Sequence, residues 1–208
     1  MYDTIAFVDF DGTITTEDSV VGSVRLFTPD DVFLHYSQQL AKGEITLSKV
    51  VHLGFESAPS ELLPKMLDYV KTVKFRPGFP EFLDEMDRRG IPVVVISGNV
   101  RPLVEEKLAP WRDRFLDLYA VDLDVSGPMM KLLPKYDNGD ELLAKTEVMK
   151  LYDYKHSFGI GDSFTDRNMA TAVDTVFARD ILAKVLTKIG RPFLPYEDFI
   201  DVIRQLPE

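Results

Sequence analysis

The sequence predicts an α/β fold, a parallel sheet flanked by helices, with a block of helices inserted after the first strand. Three observations predict it. Short apolar runs without polar alternation recur along the chain, as in strands covered on both faces. Helical patterns lie between those runs, which implies right-handed crossovers. One long stretch, residues 15–79, breaks the alternation, with helical patterns and no convincing strand.

The first apolar run is Ile5-Ala6-Phe7-Val8, which stops at Asp9. The helical block follows, with patterns over Asp18–Leu26, Asp30–Lys42, Ile45–Phe55 and Ser60–Val73. Thr28-Pro29-Asp30, Lys42-Gly43-Glu44 and Ala58-Pro59-Ser60 punctuate it, with Ser60 a candidate N-cap. Residues 80–89 place Phe82, Leu83 and Met86 at helical spacing and end at Gly90, a residue suited to closing a helix. Pro92-Val93-Val94-Val95-Ile96 is the next strand, and residues 100–108 the next helix. Leu118-Tyr119-Ala120-Val121 is a weaker strand, followed over residues 122–140 by an irregular or hairpin excursion with Gly127-Pro128 and Asp137-Asn138-Gly139-Asp140. Residues 145–152 read as a helix, and Phe158-Gly159-Ile160 and Thr175-Val176-Phe177-Ala178 as strands. The whole is a Rossmann-like sheet. Residues 1–14 and 80–208 would form the α/β core, and residues 15–79 a helical cap above the end of the first strand. Ligand sites in such sheets lie beyond the carboxyl ends of strands, and here those ends read Asp9, Ser97 and Asp162.

Composition narrows the function. The chain has 208 residues, 45% hydrophobic and 28% charged, with a net charge of −10. That charge repels phosphodiester backbones, so no nucleic-acid partner is expected. The absence of cysteine excludes disulfides, thiolate metal sites and a catalytic thiol. Met1-Tyr2-Asp3-Thr4-Ile5 has no basic leader character, and no apolar run approaches the ~18 residues of a membrane span. A cytoplasmic protein, monomer or homodimer, with no membrane partner is the expectation.

Asp9-Phe10-Asp11-Gly12-Thr13 follows the first strand directly. Carboxylates at i and i+2 can converge on one point there, and Gly12 permits a sharp turn. Such a pair suits Mg²⁺, which takes one or two carboxylates plus a substrate phosphate. The same residues also suit an ordinary strand-to-helix turn. Gly161-Asp162-Ser163-Phe164-Thr165-Asp166 brings two more carboxylates past another strand, although Asp166 is equally at home in the first turn of a helix. Gly159-Ile160-Gly161 is not a dinucleotide fingerprint, because Phe164 stands at the third glycine position. Ser97-Gly98-Asn99 offers a hydroxyl and a backbone N–H where a helix is expected to begin, a seat for phosphate. Lys145 opens the helix leading to the Phe158 strand. Lys131 and Lys135 are rival cations, and a lone lysine is most often solvated.

These are the parts that phosphoryl transfer needs. A carboxylate nucleophile divides hydrolysis into two displacements, and a second carboxylate moves the proton. A cation, a lysine and N–H donors neutralise the phosphoryl oxygens. Phosphate-monoester hydrolysis demands accelerations near ~10²¹, so several groups must act together.

In this order, Asp9-Phe10-Asp11-Gly12-Thr13, Ser97, Lys145 and Gly161-Asp162-Ser163-Phe164-Thr165-Asp166 resemble the four motifs of the haloacid dehalogenase superfamily of phosphatases. The resemblance spans nearly the whole core, and the helical block looks like the cap of the phosphoserine-phosphatase-like branch. It implies Asp9 as nucleophile and Asp11 as general acid/base. It implies Mg²⁺ held by Asp9, the backbone carbonyl of Asp11 and Asp162, with Thr13 and Asp166 in support. Ser97, the Gly98 N–H and Lys145 would bind the phosphoryl group of a small phosphorylated metabolite. Asp18, where phosphoserine phosphatases usually carry Glu, and Asn99, where a second glycine is common, are candidates for the cap side of the pocket. Phosphoserine phosphatases also hold the substrate carboxylate with a cap arginine, and residues 26–75 contain none. That counts against phosphoserine, which remains the alternative substrate. A signalling receiver domain uses a similar acidic pair, hydroxyl and lysine. Its phospho-acceptor lies on a later strand, however, and no helical block follows its first.

Long insertions beside a site commonly act as lids, so joints are expected at residues 14–16 and 76–78. Phe27, Phe33, Tyr36, Phe55 and Met66 either meet an apolar substrate tail or pack the interior of the block.

Overall fold

The computed structural model describes residues 1–42, 44–138 and 141–206, so Gly43, Gly139 and Asp140 of two expected turns lie outside the described residues. In chain order the elements are β1 (Tyr2–Val8), α1 (Ser19–Arg25), α2 (Asp30–Ala41), α3 (Leu47–Glu56), α4 (Leu63–Thr72) and α5 (Phe79–Arg89). Then come β2 (Val93–Val100), α6 (Arg101–Leu108), β3 (Asp117–Asp124), β4 (Lys131–Leu133), α7 (Lys145–Met149) and β5 (Tyr154–Gly161). The chain ends with α8 (Arg167–Ala172), β6 (Thr175–Ala178), α9 (Asp180–Ile189), β7 (Leu194–Pro195) and α10 (Phe199–Gln205). The strands form one seven-stranded sheet in the order β4-β3-β2-β1-β5-β6-β7. All neighbours are parallel except β3 and β4, an antiparallel pair from the expected excursion.

The apolar runs are explained by this order. β1 lies between β2 and β5, and both its faces are covered. Ile5 and Phe7 enter one hydrophobic layer while Ala6 and Val8 enter the other, the period-two alternation of a strand. β2 divides in the same way, with Val94 and Ile96 on one side and Val93 and Val95 on the other. The second layer is covered by α5 and α10 through Phe79, Phe82, Met86, Phe199 and Val202. Burying a side chain as large as Phe79 contributes about 2–3 kcal/mol, so this aromatic contact locks the chain's end onto the sheet.

The helices α1 to α4 fill residues 19–72, as the helical patterns anticipate. Val24, Val51, Phe55, Met66 and Val70 belong to the same buried cluster as Ile5, Phe7 and Val94. Phe55 and Met66 are therefore packing residues, and Phe27 and Phe33 lie partly buried against that cluster. The block leaves and rejoins the sheet through one short ladder. Thr16 N–H donates to Lys74 O at 3.0 Å and Arg76 N–H to Ile14 O at 2.8 Å. The tip of the β3–β4 hairpin touches the block as well, with Ser60 N–H donating to Pro128 O and Met130 N–H to Ala58 O, both at 2.9 Å.

One local expectation is corrected. Ser97-Gly98-Asn99 does not open a helix; β2 continues through it to Val100, and α6 starts at Arg101. The register against β3 shifts between Ile96 and Val100, so an irregularity absorbs these residues without ending the strand. The start of α6 is marked by Pro102 in its first turn, where a missing N–H costs nothing.

Candidate active site

The segment after β1 makes a single wide turn, with Thr15 N–H donating to Phe10 O at 3.0 Å. Asp11 (φ −73°, ψ 127°) and Gly12 (φ 75°, ψ −14°) have the angles of a type II β-turn, whose third position needs a positive φ. Glycine is required here for a second reason, since a Cβ on Gly12 would come within 2.3 Å of Asp162 Oδ2. The loop thus presses against the end of β5, where Thr13 Oγ1 donates to Asp162 Oδ1 at 3.1 Å.

Lys145, at the start of α7, is 1% exposed and reaches between two carboxylates. Its Nζ donates to Asp9 Oδ1 and, at 2.6 Å, to Asp166 Oδ1. Asp166 is itself fully buried, and its Oδ2 accepts from the N–H groups of Asp162 at 3.0 Å and Ser163 at 2.9 Å. Asp9, Asp162 and Asp166 each offer an oxygen, and these atoms lie within 4.8 Å of one another. The group is buried, acidic and made of hard oxygen donors, so it could hold a metal ion.

The electrostatics point the same way. Burial and the Asp166 charge, opposed by Lys145, push the Asp9 carboxyl up to about 7. Burial and the charges of Asp9 and Asp166 push Asp162 up to about 8. Burial works against the charge on Lys145, but Asp166 and Asp9 overcome it and hold the ammonium well above its usual range. One ammonium facing three carboxylates leaves an excess of negative charge that a cation would neutralise.

The Asp11 carboxylate is not part of this group and has its own partners. Its Oδ1 accepts from Ser19 N at 2.7 Å and from Ser19 Oγ at 2.5 Å, and its Oδ2 from Asn99 Nδ2 at 2.9 Å. Burial and the nearby Asp18 charge hold it well above the usual carboxylate range despite the Ser19 hydrogen bonds. A carboxyl raised in this way holds its proton more readily than a free one, as a general acid must. Asp18 is exposed and caps α1, its Oδ1 accepting from Val21 N at 2.9 Å. Ser97 is buried, and its Oγ accepts from Asn99 N at 3.1 Å. A Cβ on Gly98 would meet nothing within 4 Å, so its backbone is open to close approach.

Three residues to which the sequence reading gave no role at the site support this arrangement. Ser19 holds Asp11. Arg76 sits at the joint of the helical block, and its guanidinium donates to the carbonyls of Gly12, Thr13, Thr15 and Glu197. Glu141 is 7% exposed and accepts from the backbone N–H of Lys145 at 3.3 Å and from Asn168 Nδ2. The joint expected at residues 76–78 marked the place of the arginine but not its contacts.

A mostly parallel sheet with acidic residues at the carboxyl ends of its central strands, and a helical block over them, defines a class of hydrolase. Residues 6–171 match the model of the haloacid dehalogenase-like hydrolase family, and the chain belongs to that family. A 2-hydroxy-3-keto-5-methylthiopentenyl-1-phosphate phosphatase from Microcystis aeruginosa (strain NIES-843 / IAM M-2473) is 34% identical over 202 residues, 95% of this chain and 95% of its own. Among solved structures, a phosphoserine phosphohydrolase-like protein from Francisella tularensis subsp. tularensis SCHU S4 superposes with a TM-score of 0.75 at 16% identity over the full length of both chains. A phosphoserine phosphatase solved as a phospho-aspartyl intermediate analogue does so with a TM-score of 0.70 at 13% identity, again over both full lengths. These two likenesses concern the fold. Among the described residues no helix is long and apolar enough to cross a membrane.

Proposed function

We propose that this hydrolase removes phosphate from 2-hydroxy-3-keto-5-methylthiopentenyl 1-phosphate, the methionine-salvage phosphomonoester, through an aspartyl-phosphate on Asp9. The observation that carries the chemistry is the buried group in which Lys145 bridges Asp9 and Asp166 beside Asp162. Support for the substrate comes from the relative that shares 34% of its residues across nearly the whole of both chains. The tail is also similar to that of the salvage phosphatases, in Phe177-Ala178-Arg179-Asp180 and Pro195-Tyr196-Glu197-Asp198-Phe199. The lack of arginine between residues 26 and 75 argues against phosphoserine, and Arg25 lies over the Phe33 ring at 4.6 Å.

In the first step an Asp9 oxygen attacks phosphorus, the bond to the leaving oxygen breaks, and the Asp11 carboxyl gives its proton to that oxygen. In the second, Asp11 takes a proton from water as the water oxygen attacks phosphorus. The bond to Asp9 breaks, and inorganic phosphate leaves. Lys145, the Ser97 hydroxyl and the Gly98 N–H orient the phosphoryl oxygens. Asp9 and Asp162, the latter steadied by Thr13, would hold Mg²⁺ with the Asp11 carbonyl, while Asp166 fixes Lys145. The bound ion supplies charge neutralisation at the phosphoryl oxygens. The helical block over residues 15–79 acts as the cap, attached to the core of residues 1–14 and 80–208 at its two joints and touching the hairpin tip.

Asp9→Asn is expected to abolish turnover of p-nitrophenyl phosphate; retained activity removes Asp9 as nucleophile. Phosphate release from a metabolite panel, with and without Mg²⁺, tests the rest. A clear preference for phosphoserine would replace the salvage substrate.

A further inference from the structure

Asp11 sits in a turn, not on a helix or a strand, so something else must fix its carboxylate. Asn99 does this from inside the sheet. It lies near the end of β2 and is 2% exposed. Its Oδ1 accepts from Val100 N at 2.7 Å, which dictates which end of the amide faces which way. The Nδ2 end therefore faces Asp11, and donates to Asp11 Oδ2 and to Ser19 Oγ, each at 2.9 Å. Ser19 passes the contact on, its hydroxyl donating to Asp11 Oδ1 at 2.5 Å. Both oxygens of Asp11 are thus tied to one small network. One end of that network is anchored in a central strand and the other at the start of α1.

We propose that Asn99 is a positioning residue for Asp11, holding its carboxyl so that proton transfer to the leaving oxygen has a fixed geometry. The inference rests on the reading of Asp11 as general acid/base. The polar side-chain atoms of Asn99 all have protein partners. Its amide nitrogen donates to Asp11 and Ser19, and its oxygen accepts from the backbone. A residue with this role matters in proportion to how badly the leaving oxygen needs a proton. A p-nitrophenolate leaves without help, whereas an alkoxide does not.

That difference supplies a readout that a merely structural residue would not move. The quantity to measure is kcat/KM, which covers the step that expels the leaving group. The series is p-nitrophenyl, phenyl and n-propyl phosphate, with wild type, Asn99→Ala, Asn99→Asp, Ser19→Ala and Asp11→Asn. Asn99→Asp keeps the acceptor for Val100 N–H but faces Asp11 with a second carboxylate, so it retains the local fold while reversing the contact. Asn99→Ala is expected to lose about 30- to 100-fold on n-propyl phosphate and no more than about threefold on p-nitrophenyl phosphate, the range that a misplaced catalytic group forfeits. Asn99→Asp should discriminate at least as strongly, and Ser19→Ala in the same direction but less, since the Ser19 N–H remains. If Asp11→Asn depends on the leaving group while both Asn99 variants fall equally across the series, or not at all, the positioning role is overturned and the proposed function stands. If Asp11→Asn itself shows no such dependence, the acid role of Asp11 falls, and the role of Asn99 falls with it.

Discussion

Replacing Arg76 by Met tests how the loop carrying Asp9 and Asp11 is held in place. Arg76 is 6% exposed, and its guanidinium donates through Nε to Thr13 O at 2.8 Å, through Nη1 to Glu197 O at 3.2 Å, and through Nη2 to Gly12 O and, at 3.3 Å, Thr15 O. Met keeps the apolar stem and removes every donor. A hydrogen bond from a charged group contributes about 1.5–3 kcal/mol, and a buried carbonyl left without a partner costs about 1–3 kcal/mol. The contacts to Glu197 and Thr15 are long, so those to Thr13 and Gly12 decide the loss. Part of it is offset, because burial and the Arg179 charge already disfavour the ionised form of Arg76. A net loss of about 2–4 kcal/mol is expected. At about 2–4 °C per kcal/mol for a chain of this size, Tm should fall by about 4–16 °C. Arg76→Lys, which keeps the charge but cannot span four carbonyls, should fall between wild type and Arg76→Met. Thermal melts followed by circular dichroism give the number, and activity against Mg²⁺ concentration reports whether the loop has loosened. An Arg76→Met protein melting within about 2 °C of wild type, with unchanged Mg²⁺ activation, would refute the clamp.

Three further outcomes are expected. Gly12→Ala combines a left-handed backbone, φ +75°, with a Cβ 2.3 Å from Asp162 Oδ2, and so costs about 1–2 kcal/mol in the turn. By displacing that carboxylate it should also raise the Mg²⁺ needed for half-maximal activity by about tenfold or more; an unchanged Mg²⁺ titration would detach Asp162 from the metal. In metal-free protein, Asp9 and Asp162 are raised from an ordinary 3.8 to about 7 and about 8. The folded chain therefore holds more protons than the unfolded one between about pH 4 and pH 8, and its stability falls as pH rises through that window. Mg²⁺ should raise Tm more at pH 8 than at pH 5, because it binds the ionised carboxylates; an equal shift at both pH values in matched EDTA and Mg²⁺ melts counts against the acidic group as its site. If the helical block closes on substrate, Mg²⁺ plus orthovanadate should slow protease cleavage at residues 14–16 and 76–78, and identical digestion patterns would argue for a fixed block.

The central strands were legible because their position leaves them no other composition. β1 and β2 are covered on both faces, so Ile5 to Val8 and Val93 to Ile96 must be apolar throughout. Where the end of a strand is exposed on both faces, the signal fades. β5 begins with Tyr154, Lys155 and His156, with Lys155 and His156 exposed, and only its buried second half was read. β4, with three residues, and β7, with two, are too short to show a period. α8 and α10 span six and seven residues, little more than a turn or two. α9 is different: Leu182 and Leu186 lie one turn apart and Gly190 closes it, a legible pattern that the reading of the strands and motifs passes over. The Ser97 segment misled because Ser-Gly-Asn suits a helix start on local chemistry, whereas the register shift against β3 is set by a strand some twenty residues further on.

The same distinction runs through the site. Which residue types stand at the strand ends was legible, because a parallel sheet collects those ends at one edge whatever the intervening chain does. Which carboxylates would face one another was not. The i, i+2 spacing put Asp9 and Asp11 together, yet their carboxylates engage different partners. Asp9 meets Lys145, 136 residues away, and Asp11 meets Asn99, 88 residues away. Asp166 takes the place beside Asp9 that spacing alone would have given to the Asp11 carboxylate. A hydrogen-bond donor has no periodicity, and Ser19 and Arg76 could each have been replaced at the level of composition by another polar residue; Asn99 stood out after Ser97-Gly98, but its contact with Asp11 did not. What selects them is where the chain returns in space. The supporting groups of this site therefore become readable only once the long-range pairing of β1 with β2 and β5 is known, and the tests on Arg76 and Asn99 probe the part of the reading that depends most on that pairing.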